Sequence, residues 1–124
     1  MPKVLVIEDD SEVRDVISSI LRMRGYSVIM ADNGITGVAM NRAELPDLII
    51  TDMVMPEQGG AETIIRIRQE TPDAKIIAIS GGRMFGSQPL MVAKQLGITE
   101  TLQKPFMMSE LINCVIRTLS SSPH

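Results

Sequence analysis

The stretch KVLVIEDDSEVRDVISSILRMRGYSVIMA, residues 3–31, decides the fold because it joins two apolar runs through a segment of helical periodicity. The first run, residues 3–8, is continuously apolar from Val4 to Ile7, as in a strand that is covered on both faces. The middle segment repeats apolar residues at spacings of three and four, which places them on one face of a helix. These apolar positions are Val13, Val16, Ile17, Ile20 and Leu21. The stretch therefore predicts a strand, a helix and a second strand.

The ends of this helix also have sequence signals. Asp10 or Ser11 is a suitable N-cap, because a short polar side chain can accept hydrogen bonds from the first free N–H groups. Gly25 is a typical residue just beyond a helix end.

The same alternation continues along the rest of the chain. The further predicted strands span 26–31, 47–51, 74–80 and 100–104, and the further predicted helices span 34–45, 60–70, 88–97 and 108–119. Gly34 and Gly37 weaken the second helix by about 1 kcal/mol each relative to Ala, whereas Pro89 suits the first turn of the fourth. Parallel strands joined by crossover helices form an open sheet with helices on both faces. We predict one α/β domain with a doubly wound, five-stranded parallel sheet and five helices.

Composition limits the classes of function. The 124 residues carry a net charge of −3, with 44% hydrophobic and 22% charged residues, which is ordinary for a globular domain. This charge gives no reason to expect direct binding to nucleic acid or to a membrane. The single Cys114 excludes an internal disulfide and a cysteine-rich zinc site. The apolar run at 4–7 is too short for a signal peptide or a membrane span, so we expect a cytoplasmic protein.

Charged and hydroxyl side chains stand where the predicted strands end. They are Glu8, Asp9 and Asp10 after the first strand, Asp52 after the third, Ser80 at the end of the fourth and Lys104 at the end of the fifth. Taken singly, an acid at such a position is usually a turn or cap residue, and Asp10 is expected to be one. In open α/β sheets, however, ligands bind at the carboxyl ends of the strands. The joint occurrence predicts a site at this edge.

The carboxylates at this edge need a cation. Two like charges at about 4 Å repel by on the order of 4 kcal/mol at an effective dielectric constant near 20. A fold that gathers Glu8, Asp9 and Asp52 therefore requires compensation by positive charge. Oxygen ligands with room for water molecules suit Mg²⁺.

Four segments, VLVIEDD (4–10), PDLIITDMVMPEQGG (46–60), IIAISGG (76–82) and LQKPF (102–106), resemble the receiver domain of bacterial two-component response regulators. The resemblance covers Lys3 to Leu119, so we expect a receiver domain at 1–119 and a flexible tail at 120–124. It implies a flavodoxin-like fold with strand order 2-1-3-4-5. It also implies phosphotransfer to Asp52 from a sensor histidine kinase or a histidine phosphotransfer protein.

The resemblance also assigns roles to the residues at the strand ends. Glu8 and Asp9 would be the acidic pair that binds Mg²⁺, with Asp52 and the Val54 backbone carbonyl as further ligands. Ser80 would be the hydroxyl and Lys104 the lysine that contact the phosphoryl group. We expect Asp9 and Asp52 to hold Mg²⁺ directly, and the longer Glu8 to act through a metal-bound water. Pro56 and Gly60 match the turn that follows the phosphorylated aspartate.

Two features depart from the family pattern. Thr101 stands where receivers commonly carry an aromatic residue, and the glycine-rich segment from Gly81 to Gln88 is longer than usual. We therefore expect the loop, with Met84 and Phe85, to respond to phosphorylation in place of an aromatic side chain. The ten methionines are consistent either with a gap-filling core or with a pliable binding surface.

Other functions are compatible with parts of this residue pattern. Phosphorylation at Asp52 would switch a protein partner or an output domain, whereas a degenerate receiver would bind proteins without phosphorylation. An aspartyl phosphatase of the dehalogenase type is disfavoured because Val54 stands where that class needs a second acid. A flavin-binding flavodoxin is disfavoured because the first strand leads into acids and not into a hydroxyl-rich phosphate loop.

Overall fold

The computed structural model describes residues 1–55, 58–81 and 88–121, and the side chains of all these except 88–90. Five strands and five helices alternate along the chain. They are β1 (Lys3–Ile7), α1 (Ser11–Met23), β2 (Ser27–Ala31), α2 (Gly34–Glu44), β3 (Leu48–Asp52), α3 (Gly60–Glu70), β4 (Ile76–Ser80), α4 (Gln88–Gln95), β5 (Glu100–Gln103) and α5 (Met108–Ser120). The strands form one parallel sheet in the order β2-β1-β3-β4-β5. The predicted fold class and strand order are confirmed.

The register brings the carboxyl ends of the central strands to one level. Ile7 pairs with Thr51, Asp52 pairs with Ile79, and Ser80 with Gln103. Residues that follow Ile7, Thr51, Ile79 and Gln103 therefore lie side by side along one edge. This edge holds the predicted site.

The sheet is covered on both faces, as the continuous apolar strands predict. On β1, Val4 and Val6 belong to one buried layer and Leu5 and Ile7 to the other. The first layer packs under α1 and α5, and the second under α2, α3 and α4. Helix residues of the first layer are Ile17, Leu21, Leu111, Ile112, Cys114 and Val115; those of the second are Val38, Ile64, Ile67 and Ala93.

Helix α1 begins as the sequence predicts. The Asp10 carboxylate accepts hydrogen bonds from the N–H groups of Glu12 (2.9 Å) and Val13 (3.4 Å). Asp10 is therefore the N-cap, and its side chain is used in helix capping.

Helix α2 forms despite its two glycines. Asn33 caps it by accepting a hydrogen bond from the Thr36 N–H at 2.8 Å. A Cβ atom at Gly37 would lie 2.5 Å from Cδ1 of Ile7. The helix packs so closely on β1 that a side chain at Gly37 would have to displace its neighbour, and this packing outweighs the low helix propensity of glycine.

Two predicted boundaries are wrong, for local reasons. The strand predicted from residue 74 begins at Ile76, because the Ala74 N–H closes a turn onto the Thr71 carbonyl at 3.0 Å. The fourth helix ends at Gln95 and not at 97, since the Gly97 N–H bonds to the Lys94 carbonyl at 3.0 Å in a tight final turn. The other boundaries agree with the prediction to within a residue.

The C-terminal helix extends one residue beyond the predicted domain end. Ser120, expected in the tail, is the last residue of α5, and residues 122–124 lie outside the described part of the chain. Pro56, Met84 and Phe85 also lie outside it, as does the side chain of Pro89. Within the ranges that the structure describes, no helix is both long and apolar enough to cross a bilayer.

Candidate functional site

Three carboxylates converge where β1 and β3 end. Asp52 is the last residue of β3, and Glu8 and Asp9 follow β1, its neighbour in the sheet. One carboxylate oxygen from each lies within 4.8 Å of the others. Glu8 and Asp52 are buried, with 1% and 5% of their surface exposed, whereas Asp9 is exposed. We call these three residues the acid cluster.

Lys104 provides the positive charge beside the acid cluster. Its Nζ lies 2.7 Å from Oε1 of Glu8 and 3.2 Å from Oδ2 of Asp52. The Lys104 N–H donates to the Ser80 carbonyl at 2.7 Å, which holds the residue against the end of β4. The family resemblance predicted that Lys104 contacts the phosphoryl group on Asp52, but it did not predict the closer approach to Glu8. The extra methylene of Glu relative to Asp was the available signal for that longer reach.

Burial and charge shift the proton affinities of this pair. Burial raises the pKa of Glu8 to about 7, and the nearby Asp52 adds to the rise while Lys104 opposes it. Burial alone would lower the pKa of Lys104, but the ion pairs with Glu8 and Asp52 outweigh it and raise the pKa above the ordinary lysine value. The ammonium group is therefore charged at neutral pH.

The backbone orients Asp52 and Glu8. The Val54 N–H donates to Oδ1 of Asp52 at 3.2 Å, which leaves Oδ2 directed at Lys104. The side chain of Val54 is 55% exposed, so its backbone is the part next to the acid cluster.

Nη1 of Arg14, on α1, donates to the Glu8 carbonyl at 2.8 Å. Sequence reasoning missed Arg14, although its place one turn into the helix after the acids is a signal that could have found it.

Ser80 lies beside Asp52. It follows Ile79, the residue that pairs with Asp52 across β3 and β4, and it is fully buried. The structure thus brings Glu8, Asp9, Asp52, Ser80 and Lys104 to one edge of the sheet. An acid cluster with one lysine and one hydroxyl is suited to hold a cation and a phosphoryl group.

Comparison with known proteins agrees with this arrangement. The family model described as the response regulator receiver domain matches residues 4–116. The chain belongs to the response regulator receiver family. It is 33% identical over 119 residues to the response regulator receiver protein CpdR of Brucella abortus, covering 96% of this chain and 98% of that protein. It is 30% identical over 120 residues to the chemotaxis protein CheY of Bacillus subtilis, covering 95% of this chain and 98% of that protein.

Longer relatives and solved structures extend the comparison. The receiver is 32% identical over 117 residues to the DNA-binding transcriptional regulator NtrC of Rhizobium meliloti, covering 94% of this chain but only 24% of that protein. The chain thus spans about a quarter of such regulators. The structure of the chemotaxis protein CheY4 of Vibrio cholerae superposes with a TM-score of 0.86 at 28% identity, covering 95% of this chain and 98% of that chain.

Membership of the family bears on two alternatives that the sequence already disfavoured. Receivers accept a phosphoryl group and are not enzymes in the usual sense, so a phosphatase of the dehalogenase type and a flavin-binding flavodoxin are both set aside.

The methionines of the receiver divide by position. Met53 and Met55, which flank the end of β3, are buried in the apolar layer under α2 and α3. These two fill the core. Met107 and Met108, at the start of α5, are 68% and 51% exposed.

Thr101 on β5 is half-buried opposite Ala78, and residues 82–87 of the glycine-rich segment lie outside the described residues.

Proposed function

We propose that this receiver accepts a phosphoryl group on Asp52 from a histidine kinase or a histidine phosphotransfer protein, with Mg²⁺ as the required cation. One observation carries the proposal. Three carboxylate groups lie together with a single lysine, two of them buried, although repulsion between them opposes the arrangement. Clustered acids and a lysine at the carboxyl edge of a parallel sheet, where ligands bind, are expected when the ligand is charged.

The donor set fits magnesium. Asp9, Asp52 and the Val54 backbone carbonyl would hold the ion directly and Glu8 through a bound water, and all of them offer oxygen. Mg²⁺ supplies charge neutralisation for the phosphoryl oxygens when it is bound. The exposed Asp9 leaves the acid cluster open to solvent on one side. Water molecules can complete the coordination there, as Mg²⁺ usually requires.

The transfer step follows from the orientation of Asp52. A carboxylate oxygen of Asp52 forms a bond to phosphorus, while the bond from phosphorus to the donor histidine nitrogen breaks and its electron pair leaves with the imidazole. Lys104, charged and already 3.2 Å from Oδ2, can move from the carboxylate to a phosphoryl oxygen. The Ser80 hydroxyl would donate to a second oxygen.

Phosphorylation would then switch a protein partner or an output domain. CpdR and CheY are covered almost completely by this chain, whereas NtrC is four times as long. Both organisations therefore occur among the relatives. We propose a cytoplasmic location. We do not propose direct binding of the receiver to nucleic acid or to a membrane. A domain spanning 1–119 remains our expectation.

The test uses acetyl phosphate as donor and intact mass as readout. Wild type should gain one phosphoryl group in Mg²⁺ and none in excess chelator, and Asp52→Asn should gain none. The matched control is Asp47→Asn, at the opposite end of β3, which should be labelled like wild type. Labelling of Asp52→Asn would place the nucleophile elsewhere. A folded wild type that is never labelled would favour a phosphorylation-independent binding module.

A further inference from the structure

A buried polar pair joins the turn before α3 to the first turn of that helix. Gln58 is 7% exposed, and its Nε2 donates to Oγ1 of Thr63 at 3.1 Å. Thr63 is fully buried, and its hydroxyl donates to the Gly59 carbonyl at 2.9 Å. The single hydroxyl proton and an acceptor lone pair are both used, so the contact has a defined geometry.

The first residue of α2 closes over this pair. A Cβ atom at Gly34 would lie 2.1 Å from Oγ1 of Thr63 and 2.9 Å from the Gln58 carbonyl oxygen. The backbone of α2 thus contacts the Gln58–Thr63 pair with no space for a side chain between them. Movement of the pair toward α2 is blocked.

The same turn begins at the acid cluster. The Val54 N–H donates to Oδ1 of Asp52, and the Gly60 N–H returns to the Met53 carbonyl at 3.1 Å. Met55, between them in sequence, is buried in the core. The Thr63 hydroxyl is therefore linked through Gly59 and Gly60 to the Met53 carbonyl, which directly precedes Val54.

We propose that the Gln58–Thr63 pair, braced by Gly34, positions the Val54 backbone and thereby sets the affinity for Mg²⁺. The inference rests on the proposed function, because it takes the Val54 carbonyl as a ligand. Gln58 and Thr63 are positioning residues that act through Gly59, Gly60 and the Met53 carbonyl. Groups of this kind, which touch a ligand-bearing segment but not the metal, change metal affinity when they are removed.

The interface between α2 and α3 offers a chemically matched control. Nδ2 of Asn41 donates to Oγ1 of Thr71 at 3.3 Å, and Asn41 is 2% exposed. Asn41 is on α2, and Thr71 directly follows α3, at the opposite end of that helix from Gly60 and the turn at Val54. Removing its hydroxyl disturbs the same interface without touching the turn.

The experiment is a Mg²⁺ titration of the full chain followed by amide NMR shifts, with urea unfolding of the same samples. Thr63→Val keeps the shape and loses the hydroxyl, and it should weaken Mg²⁺ binding at least about threefold. Thr63→Ser restores the hydroxyl and should stay within about twofold of wild type, as should the control Thr71→Val. Gly34→Ala, which forces the Thr63 hydroxyl aside, should act in the same direction as Thr63→Val.

The outcomes separate the two proposals. If Thr63→Val loses stability but keeps the wild-type Mg²⁺ affinity, the pair is merely structural and the inference is overturned. If Thr71→Val weakens binding equally, general loosening of the interface is the cause and the inference also fails. A wild type that binds no Mg²⁺ overturns the proposed function itself. Should Thr63→Val not fold, Gln58→Leu applies the same test from the other partner.

Discussion

The two ends of the sheet arrange charge in opposite ways. At the amino end, each lysine has its own partner: Nζ of Lys3 lies 3.1 Å from Oε1 of Glu44, and Nζ of Lys75 donates to the Leu119 carbonyl at 2.8 Å. At the carboxyl end, two members of the acid cluster, Glu8 and Asp52, share Lys104. Among the residues that the structure describes, the sheet therefore has no crowding of acids around these lysines at one end and an excess of acid around Lys104 at the other.

The two ends differ in how much their acids contribute to or reduce the stability of the fold. The side chain of Glu44 is 45% exposed and remains largely hydrated, whereas that of Glu8 is 2% exposed and loses nearly all its hydration. Burying an acid beside two others costs free energy that an apolar residue would not cost. The proposed binding of a cation and a phosphoryl group would account for this arrangement at the carboxyl end. Four substitutions or changes of condition test how different the two ends are.

The largest expected effect is the loss of Lys104. Lys104→Met leaves Glu8 and Asp52 buried without a cation and should lower the free energy of unfolding by about 2–3 kcal/mol in the absence of Mg²⁺. Lys75→Met, the control at the amino end, should lower it by less than about 1 kcal/mol, since a largely neutral hydrogen bond is lost. Urea unfolding measures both. Equal losses would mean that the two ends do not differ in how they use a lysine.

Magnesium gives the second effect. At about ten times its dissociation constant, Mg²⁺ should stabilise the wild type by about 1.4 kcal/mol. Asp9→Ala should remove most of this gain and Glu8→Gln less of it, because Asp9 is expected to be a direct ligand and Glu8 a water-mediated one. Glu44→Gln, at the other end of the sheet, should keep the whole gain. If Asp9→Ala and Glu8→Gln lost the same amount, Glu8 would have to be a direct ligand.

The strands, the first helix and the charged residues at the strand ends could be predicted from the sequence for physical reasons. Continuous apolar runs identify strands that are buried on both faces, and the spacing of Val13, Ile17 and Leu21 identifies α1. The strand order came from the family resemblance, because periodicity does not specify which strands are neighbours. Charged residues at the ends of the predicted strands were enough to find Asp52 and Lys104.

The rest of the site depends on contacts that have no periodic signal. Which carboxylate Lys104 approaches more closely depends on the reach of two side chains from separate strands. The hydrogen bond from Arg14 to the Glu8 carbonyl depends on how α1 leaves β1. The Gln58–Thr63 pair is a buried polar contact between a turn and a helix, and polar residues at such positions have no periodic pattern that predicts burial. The ends of α4 and β4 were set by local turns.

The third effect is a pH dependence at the amino end. Cys114 is buried and its thiol lies 3.6 Å from Oε1 of Glu100, the first residue of β5. Burial, with the Glu100 charge, raises the pKa of the thiol from 9.0 to about 11. Between these values the unfolded chain has lost the proton that the folded chain retains, so stability falls as pH rises.

The measurement compares the wild type with Cys114→Ala, which lacks the thiol. From pH 8 to pH 10 the wild type should lose about 1 kcal/mol more of its free energy of unfolding than the variant. Parallel pH profiles would show that the thiol ionises equally in both states.

The smallest effect is expected for the ion pair at the start of β1. Glu44→Gln removes the partner of Lys3, and both side chains are substantially exposed. Pairs of this kind contribute about 0–1 kcal/mol, and we expect a loss of less than about 0.5 kcal/mol that vanishes in high salt. Urea unfolding at two ionic strengths measures it. A loss as large as that of Lys104→Met would remove the contrast between the two ends.

The distance of Lys104 from its partners along the chain has a consequence for synthesis. Lys104 is 52 positions from Asp52, and it follows β5, which lies at the sheet edge farthest from β1. A growing chain completes β1 and β3 well before Lys104 leaves the ribosome. During that interval Lys104 cannot pair with Glu8 and Asp52. The lysine that follows the last strand to be made therefore pairs with acids placed by the first and third strands.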